Sequence, residues 1–386
     1  MFQFPDDLST EDFLDRYWQK ALLFMPQAVP AGLPELDADE LAWLATQSDV
    51  ESRLVFTEHD GATTSYRVEH GPFDDKALAA LPPQDWTLLV QDVEKHLPDF
   101  RSFVHAASFI PDWRVDDLMI SFAAPGGSVG PHRDNYDVFL CQGAGQREWR
   151  IAPSDAELKP VEYGELSLLE EFTDDAPVKA RHADVLYLPP GIAHWGIAED
   201  SCMTYSIGMR ALTLLEFLAG VAWIRDSDID HEGIDDVFYA DPDLAVSESE
   251  PGLISARSLE RARQAFSRSP NLTDEEIARA FGSVVTDVKA WLAPEEPSQR
   301  RIQQFLASGT SELRVHGMAR LAFCTTGGQN LVFANGHGKS VEADQLGKFR
   351  RICADRTAQT NDNELFRWLM AHGAFDLQPE EQTDVT

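Results

Sequence analysis

The sequence predicts an α+β protein in which an antiparallel β sandwich or barrel is preceded and followed by helices. Between about residues 51 and 208, short β-rich runs alternate with Gly, Pro and Asp, a spacing typical of sandwiches and barrels. Helical periodicity occurs before this region and returns after residue 211. At 386 residues, the chain is also too long for a single hydrophobic core.

Two amphipathic helices are predicted before the β region, at residues 8–24 and 39–47. The first begins with a Ser-Thr pair that can cap it, acidic residues in its first turn and an apolar stripe of aromatic side chains. Residues 1–20 contain no apolar core of an export signal, and the longest apolar stretch, at 214–224, is too short to cross a bilayer. The four cysteines form no CxxC pair. We therefore expect a cytoplasmic protein without membrane contact.

The charge is strongly acidic and unevenly distributed. The chain has 32 basic and 65 acidic residues, a net charge of −33, of which −22 lies in residues 1–210, −7 in 211–268 and −4 in 269–386. Such a field repels phosphate backbones and membranes and attracts basic partners. The charge alone is explained equally well by a need for solubility.

Helices return in the second half of the chain. Residues 211–226 and 254–269 have helical periodicity and flank an acidic stretch at 226–250, and a helix at 272–292 opens a small α+β tail. Apolar residues cover too much of the first of these helices for a helix that packs on one side only. We expect a homodimer through this region, although burial against the chain's own barrel remains the alternative. The apolar residues are Leu214, Leu215, Phe217, Leu218, Val221, Ala222 and Trp223.

A metal centre is predicted from two motifs that each adjoin a strand. In "GPHRDNYDVFLCQ", His132 and Asp134 lie on one face of an extended backbone and supply two-thirds of the 2-His-1-carboxylate site of non-haem iron(II). The second histidine is His194 in "LPPGIAHWG", 62 residues on and directly after an apolar strand. An HxD motif alone occurs often by chance, whereas the two motifs together point specifically to a metal site. The alternative is a pair of structural histidines at strand ends.

Arg147 in "GQREWRI" is a candidate for binding an anion. On an extended strand it shares a face with Trp149 and Ile151. If that face points inward, the guanidinium lies on an apolar wall and requires an anionic partner. A dicarboxylate would match its fork bidentately. The strand alone leaves open the opposite orientation, with Glu148 inward.

The segments "DFLDRYWQKALLF", "DLMISFAAPGGSVGPHRDNYDVFLCQGAGQREWRI" and "LYLPPGIAHWG" together resemble the JmjC-type 2-oxoglutarate oxygenases. More narrowly, they resemble the bacterial ribosomal oxygenases, which hydroxylate an arginine of a large-subunit ribosomal protein. The resemblance implies a double-stranded β-helix (cupin/JmjC barrel) catalytic domain at 1–210, a helical dimerisation segment at 211–268 and a winged-helix-like domain at 269–386. It implies Fe(II) on His132, Asp134 and His194, and 2-oxoglutarate on Arg147 with help from Ser206.

The activity that this resemblance implies is hydroxylation of a basic ribosomal protein with O2 and oxidative decarboxylation of 2-oxoglutarate. Whether the target is an arginine, or a histidine or lysine of another basic protein, stays open. A zinc cupin hydrolase would use the same three ligands but leaves Arg147 without a role. A winged-helix regulator needs a basic face, which a tail of net charge −4 does not favour, so we expect no direct nucleic-acid binding.

The remaining nine histidines lack a ligand-like setting and are expected to be surface or structural residues. They are His59, His70, His96, His105, His182, His231, His316, His337 and His372.

Overall fold

The computed structural model describes residues 2–5, 8–29, 32–61, 63–153, 156–174, 177–225, 237–266, 272–309, 312–360 and 363–377. The chain divides into two compact units. The first consists of Met1–Ile110, Arg114–Ala211 and Asp241–Val246. The second consists of Pro111–Trp113, Leu212–Ala240 and Ser247–Thr386.

The first unit contains short helices and most of the strands. Its helices are α1 (Thr10–Arg16), α2 (Ala38–Leu44), α3 (Asp75–Ala79), α4 (Val93–His96) and α5 (Arg101–Val104). Its strands are β1 (Leu23–Met25), β2 (Ser52–Asp60), β3 (Thr63–His70), β4 (Trp86–Val90), β5 (Val115–Ala123), β6 (His132–Arg133), β7 (Val138–Gln142), β8 (Arg147–Ile151), β9 (Lys159–Tyr163), β10 (Leu166–Glu170), β11 (Val178–Ala180), β12 (Val185–Leu188), β13 (Ala193–Ala198) and β14 (Cys202–Met209).

These strands form two main antiparallel sheets that face one another. The large sheet has the order β1-β12-β7-β14-β5-β4-β2-β3, and the small sheet has the order β11-β8-β13-β6. Leu140 and Leu186 of the large sheet pack in one buried cluster with Trp149 and Ile151 of the small sheet. This arrangement confirms the predicted double-stranded β-helix, with a separate β9–β10 hairpin beside it.

The outer face of the large sheet is covered by the N-terminal helices. Phe13 of α1 contacts Tyr187 of β12 with ring centroids 5.0 Å apart, and Phe139 of β7 contacts the same tyrosine at 4.9 Å. All three are fully buried. Burial of large aromatic side chains gives this face its stability.

The first predicted helix is too long. Helix α1 is capped by Ser9, whose side chain accepts from the Asp12 N–H, but it ends at Arg16, and Leu23–Met25 is a strand paired with β12. Gln19 has a left-handed backbone (φ 55°). Its N–H donates to the Tyr187 hydroxyl (2.8 Å) and its amide donates to Asp137 (2.9 Å). These contacts with distant residues override the local helical periodicity.

The second unit mixes helices with two small sheets. Its helices are α6 (Leu214–Arg225), α7 (Ala256–Ala265), α8 (Asp274–Thr286), α9 (Gln299–Ala307), α10 (Ala343–Asp355) and α11 (Glu364–Ala371). Its strands are β15 (Glu312–Arg314), β16 (Leu321–Thr326), β17 (Gln329–Ala334), β18 (His337–Val341) and β19 (Thr357–Gln359), paired as β15-β19 and β16-β17-β18.

Helices α6, α7 and α8 lie inside the three predicted helical ranges of the second half. The first part of the acidic stretch, residues 226–236, lies outside the described residues, as do residues 267–271. None of the helices in the described ranges combines the length and the apolar content needed to cross a membrane.

Candidate metal centre and cosubstrate pocket

Strand pairing brings the two predicted histidine ligands together. Strands β6 and β13 are antiparallel neighbours, and their register sets His132 directly opposite His194. Directly opposed residues project from the same face of a sheet, and here the two imidazole centroids lie 4.3 Å apart. The motifs that the chain separates by 62 residues therefore meet at one edge of the small sheet.

Asp134 follows β6 and completes the group. Its two oxygens lie 3.8 Å from the His132 Nε2 and 3.6 Å from the His194 Nε2, and the three donor atoms lie within 4.8 Å of one another. Two donors bonded to one ion at about 2.1 Å can be separated by at most about 4 Å. The two carboxylate–imidazole distances lie within this limit, and together with the N, N, O donor set they fit a single transition-metal ion.

Both imidazoles are oriented by backbone carbonyl groups. The Nδ1 of His132 lies 2.9 Å from the Gly130 oxygen, and the Nδ1 of His194 lies 3.0 Å from the Ile192 oxygen. Because a carbonyl only accepts, each Nδ1 carries the proton and each Nε2 presents its lone pair to the cluster. Burial, and then the neighbouring His132, lower the pKa of His194 to about 4. It is therefore neutral at pH 7, as a metal ligand must be.

The Pro-Pro-Gly turn holds the carboxylate in place. Gly191 has a positive φ of 82°, a conformation that favours glycine, and its N–H donates to the Asp134 backbone oxygen at 2.8 Å. The turn that precedes His194 is thereby tied to the residue that supplies the carboxylate. This contact explains the proximity of the two sequence motifs.

Arg147 points into the barrel and forms no ion pair with the residues that the structure describes. It is 4% exposed, and its Nε and Nη2 are buried without a hydrogen-bond acceptor. The residues opposite it on the adjacent strands are Ala180 and Ala198, whose small side chains leave room for the guanidinium. Glu148 faces the other way and accepts from Arg150 at 2.9 Å. A buried cation without a counter-charge is costly, so this position fits a bound anion.

Trp149 forms the wall between Arg147 and the metal cluster. Its ring centroid lies 5.9 Å from that of His194, and the Arg147 guanidinium carbon lies 5.6 Å from it. A Cβ on Gly196, opposite Trp149, would come within 2.5 Å of this ring. Glycine is required there because the indole occupies the space. The buried Trp149 Nε1 also has no acceptor, which adds a second unpaired donor to the same pocket.

Ser206 lies on the inner face of β14. It is 4% exposed and pairs in register with Met119 and Leu140. No hydrogen bond joins its hydroxyl to Arg147 in the part of the chain that the structure describes. Its assistance to Arg147 therefore stays a prediction.

Three further polar residues near the cluster were missed by the sequence analysis. Asp117 of β5 and Arg53 of β2 lie on the inner face of the large sheet, and Tyr136 follows the HxD motif. Partial burial, and then the charges of Asp134 and Asp117, raise the pKa of Tyr136, while Arg53 acts in the opposite direction. The alternation of side chains along β5 could have predicted that Asp117 lies on the inner face, because Leu118 and Ile120 lie on the outer face.

The structure corrects one expectation about the other histidines. His337 and His372 of the second unit do lie in a ligand-like group, with Glu296. Their rings stack at 4.0 Å with an angle of 21° between planes. Near-parallel rings direct their nitrogen lone pairs side by side rather than to one point, and Glu296 is exposed. We interpret the group as a hydrogen-bonded surface cluster, with His372 and Glu296 3.3 Å apart.

Seven other histidines are not expected to bind a metal. His231 lies outside the described residues. The remaining six belong to no such group among the described residues, and they are His59, His70, His96, His105, His182 and His316.

Comparison with known proteins identifies the family. The model of the "JmjC domain" family matches residues 102–217. The chain is 33% identical over 315 residues to the Escherichia coli "Ribosomal protein uL16 3-hydroxylase", covering 81% of each chain. It is also 33% identical over 323 residues to the Haemophilus influenzae "Probable ribosomal oxygenase", covering 81% of this chain and 71% of that one.

Solved structures agree with these relatives. The structure of YcfD, a ribosomal oxygenase from E. coli, superposes with a TM-score of 0.69 at 27% identity, covering 97% of this chain and 99% of that one. The same E. coli protein in complex with cobalt and 2-oxoglutarate matches with a TM-score of 0.69 at 26% identity and the same coverage. With a curated relative matched at this identity over four-fifths of its length, this chain belongs to the JmjC-domain ribosomal oxygenase family.

Proposed function

We propose that this protein hydroxylates an arginine side chain of a basic protein of the large ribosomal subunit, with Fe(II), 2-oxoglutarate and O2. The observation that carries the proposal is the buried Arg147, whose Nε and Nη2 have no hydrogen-bond acceptor in the described part of the chain and which lies beside the His-Asp-His group. When bound, Fe(II) and 2-oxoglutarate would supply the oxidising chemistry that inserts oxygen into a C–H bond. The family membership and the cobalt and 2-oxoglutarate complex of the E. coli relative support the same assignment.

The protein's own residues have distinct tasks in this proposal. His132, Asp134 and His194 would hold the ion through two neutral imidazoles and one carboxylate. Arg147 would bind the distal carboxylate of 2-oxoglutarate with its fork. The apolar lining of the same space, which includes Trp149 and buried leucines of the large sheet, would exclude water from the reacting groups.

The charges around the site favour a cationic target. The Asp117 carboxylate lies on the inner face of the barrel, and its charge acts on Tyr136, as that of Asp134 does. A guanidinium can pair bidentately with a carboxylate and stack on a phenol ring. The net charge of −33 also attracts a basic protein before contact.

A zinc cupin hydrolase is the second candidate, because it would use the same three ligands. It offers no role for a buried and unpaired guanidinium. The dependence of activity on 2-oxoglutarate distinguishes the two functions, because only the oxygenase requires it.

We also propose a cytoplasmic homodimer with a winged-helix-like C-terminal region at 269–386. On α6, Phe217 and Val221 are buried, whereas Leu215 is 44% exposed and Trp223 is 77% exposed. A second apolar face on this helix fits a partner subunit. Light scattering should give twice the 43.1 kDa of one chain, and Trp223→Glu should give a folded monomer. A wild-type monomer at micromolar concentration would contradict the dimer.

The test of the proposed function uses the purified chain with Fe(II), 2-oxoglutarate and recombinant uL16 from the same organism. We expect uL16 to gain the mass of one oxygen atom, and fragmentation to locate that atom on an arginine. Omission of 2-oxoglutarate should abolish the gain. Oxygen on a histidine or lysine would contradict the arginine assignment, and modification without 2-oxoglutarate would contradict the oxygenase.

A further inference from the structure

An aromatic groove of about 350 Å³ lies beside the metal cluster in the first unit. Tyr66 of β3, Tyr163 of the β9–β10 hairpin, Phe172 and Trp195 of β13 supply its aromatic side chains. Phe172 meets Trp195 edge-on at 6.0 Å, and Tyr66 meets Tyr163 in the same way at 6.0 Å. None of these rings takes part in the chemistry derived above.

The groove is joined directly to the backbone that carries the two histidines. Pro131 and Trp195, which both line it, are the sequence neighbours of His132 and His194. The Leu169 N–H donates to the Pro131 carbonyl at 2.9 Å. Because side chains alternate along β13, Trp195 lies on the opposite face of the small sheet from His194, and β6 is the edge strand of that sheet. An extended polypeptide advances roughly 3.3 Å per residue, so a substrate that crosses this edge with its reactive residue at the cluster has neighbours that reach the groove.

Two carboxylates lie at the edge of the groove. Glu170 and Glu171 line it and are exposed, and neither forms an ion pair within the described ranges of the chain. Nearby acidic residues are paired: Glu165 lies 2.8 Å from His70, and Asp174 lies 3.6 Å from Arg150. The groove therefore combines aromatic faces with two carboxylates that no described cation pairs with.

The protein already shows that one of these rings accepts a guanidinium. The Arg150 guanidinium carbon lies 5.2 Å from the centroid of Trp195, which is the geometry of a cation–π contact. Aromatic faces next to carboxylates are a setting that binds lysine and arginine side chains.

We propose that this groove binds a second basic side chain of the substrate, an arginine or lysine that flanks the hydroxylated residue on the same polypeptide. The inference rests on the proposed function, because it assigns a specificity subsite to that reaction. It explains how a carboxylate-rich surface selects one sequence among many basic ones, since a flanking cation must reach the groove while the target residue reaches the cluster.

The test compares two variants that remove the same charge. Glu170→Gln/Glu171→Gln alters the groove, and Glu11→Gln/Asp15→Asn removes two exposed carboxylates from α1. With uL16 as the probe, the groove variant should raise KM roughly three- to thirty-fold, the loss expected of two exposed ion pairs, with kcat within about twofold. The control should change KM by less than about twofold.

A double-mutant cycle identifies the basic residue that the groove binds. Each arginine and lysine of uL16 near the hydroxylated residue is replaced by glutamine in turn. With the wild-type enzyme, one of these uL16 replacements should raise KM by the same factor as the groove variant does with unaltered uL16. With the groove variant, the same replacement should cause no further rise in KM.

Each remaining outcome counts against a stated claim. Equal KM values for the groove and control variants would overturn the subsite while the proposed function stands. Loss of affinity that couples to an apolar residue of uL16, and to no basic one, would also overturn it. A wild-type enzyme that neither binds nor hydroxylates uL16 would overturn the proposed function, and the subsite with it.

Discussion

The two faces of strand β14 are equally buried and chemically different. All eight of its residues are buried. On the outer face, Met203, Tyr205 and Ile207 join the apolar core beneath the N-terminal helices. On the inner face, Thr204 and Ser206 point toward the small sheet that carries Arg147. Burial alone therefore does not distinguish the stabilising core from the functional pocket.

The difference lies in how polar atoms are satisfied. Several buried polar atoms without a hydrogen-bond partner belong to inner-face residues of the two sheets. Unpaired buried polar groups cost free energy, and a ligand that pairs with them recovers that cost on binding. Buried atoms without a hydrogen-bond partner also occur outside the two sheets, at His96 and Asp241. Those of Arg147 and Trp149 differ because they lie together in the space beside the metal cluster, which fits a bound group there. The inner-face residues with such atoms are Arg53, Thr57, Thr87, Arg147 and Trp149.

The largest effect should come from the metal ligands. Asp134→Ala should reduce turnover more than the roughly 100-fold that the loss of an outer-sphere partner costs, and should leave the melting temperature almost unchanged because Asp134 is not part of the apolar core. His132→Ala and His194→Ala should behave alike. Arg133→Ala, at the exposed position between the ligands, is the control and should stay active. A ligand variant that keeps more than about a tenth of wild-type activity at saturating Fe(II) would show that the assignment is wrong.

The opposite result is expected on the outer face. Phe139→Ala should lower the free energy of unfolding by about 3–5 kcal/mol, because it removes a fully buried ring from the core. The affinity of the remaining folded protein for 2-oxoglutarate should not change. Phe139→Leu should lose much less stability. Urea unfolding measures the stability, and calorimetric titration measures the affinity for 2-oxoglutarate. A Phe139→Ala variant with weaker affinity and normal stability would contradict the distinction between the two faces.

Arg147→Ala should weaken 2-oxoglutarate binding by about 2–5 kcal/mol, or tens- to thousands-fold, because the cosubstrate carboxylate would lose its buried partner. Arg147→Lys should recover part of this loss, since the charge returns without the bidentate geometry. Arg150→Ala, on the opposite face of the same strand, is the control. Iron affinity should be unchanged throughout. An unaltered KM for 2-oxoglutarate in Arg147→Ala would remove the main reason for preferring an oxygenase to a zinc hydrolase.

The smallest effect should come from Ser206→Ala. If its hydroxyl contributes one hydrogen bond to bound 2-oxoglutarate, KM should rise roughly two- to tenfold, equivalent to about 0.5–1.5 kcal/mol. The variant should fold normally, because the hydroxyl is the only group removed. A change as large as that of Arg147→Ala would contradict an assisting role, and no change would exclude any role in cosubstrate binding.

Features encoded by local periodicity were predictable from the sequence. Alternation along β8 predicted that Arg147 shares a face with Trp149, and the buried positions of both agree. The strand that leads to the Pro-Pro-Gly turn predicted the position of His194. The register of β6 against β13 then brings the two histidines together.

Features that depend on distant strands were not predictable. Helix α1 ends where Gln19 contacts Tyr187, a residue 168 positions away. Asp117 and Tyr136 converge only because β5 and the HxD segment meet in the folded barrel. The stacking of His337 on His372 likewise joins residues from separate elements. Such convergence has no local signal in one sequence.

The most direct test of the inner face as an oxygenase site is the intact mass of ribosomal proteins from cells. We expect one large-subunit protein to be heavier by one oxygen atom in cells with the wild-type gene, and to lack that mass in cells whose only copy encodes Asp134→Ala. Identical masses of all ribosomal proteins in the two strains would contradict the account.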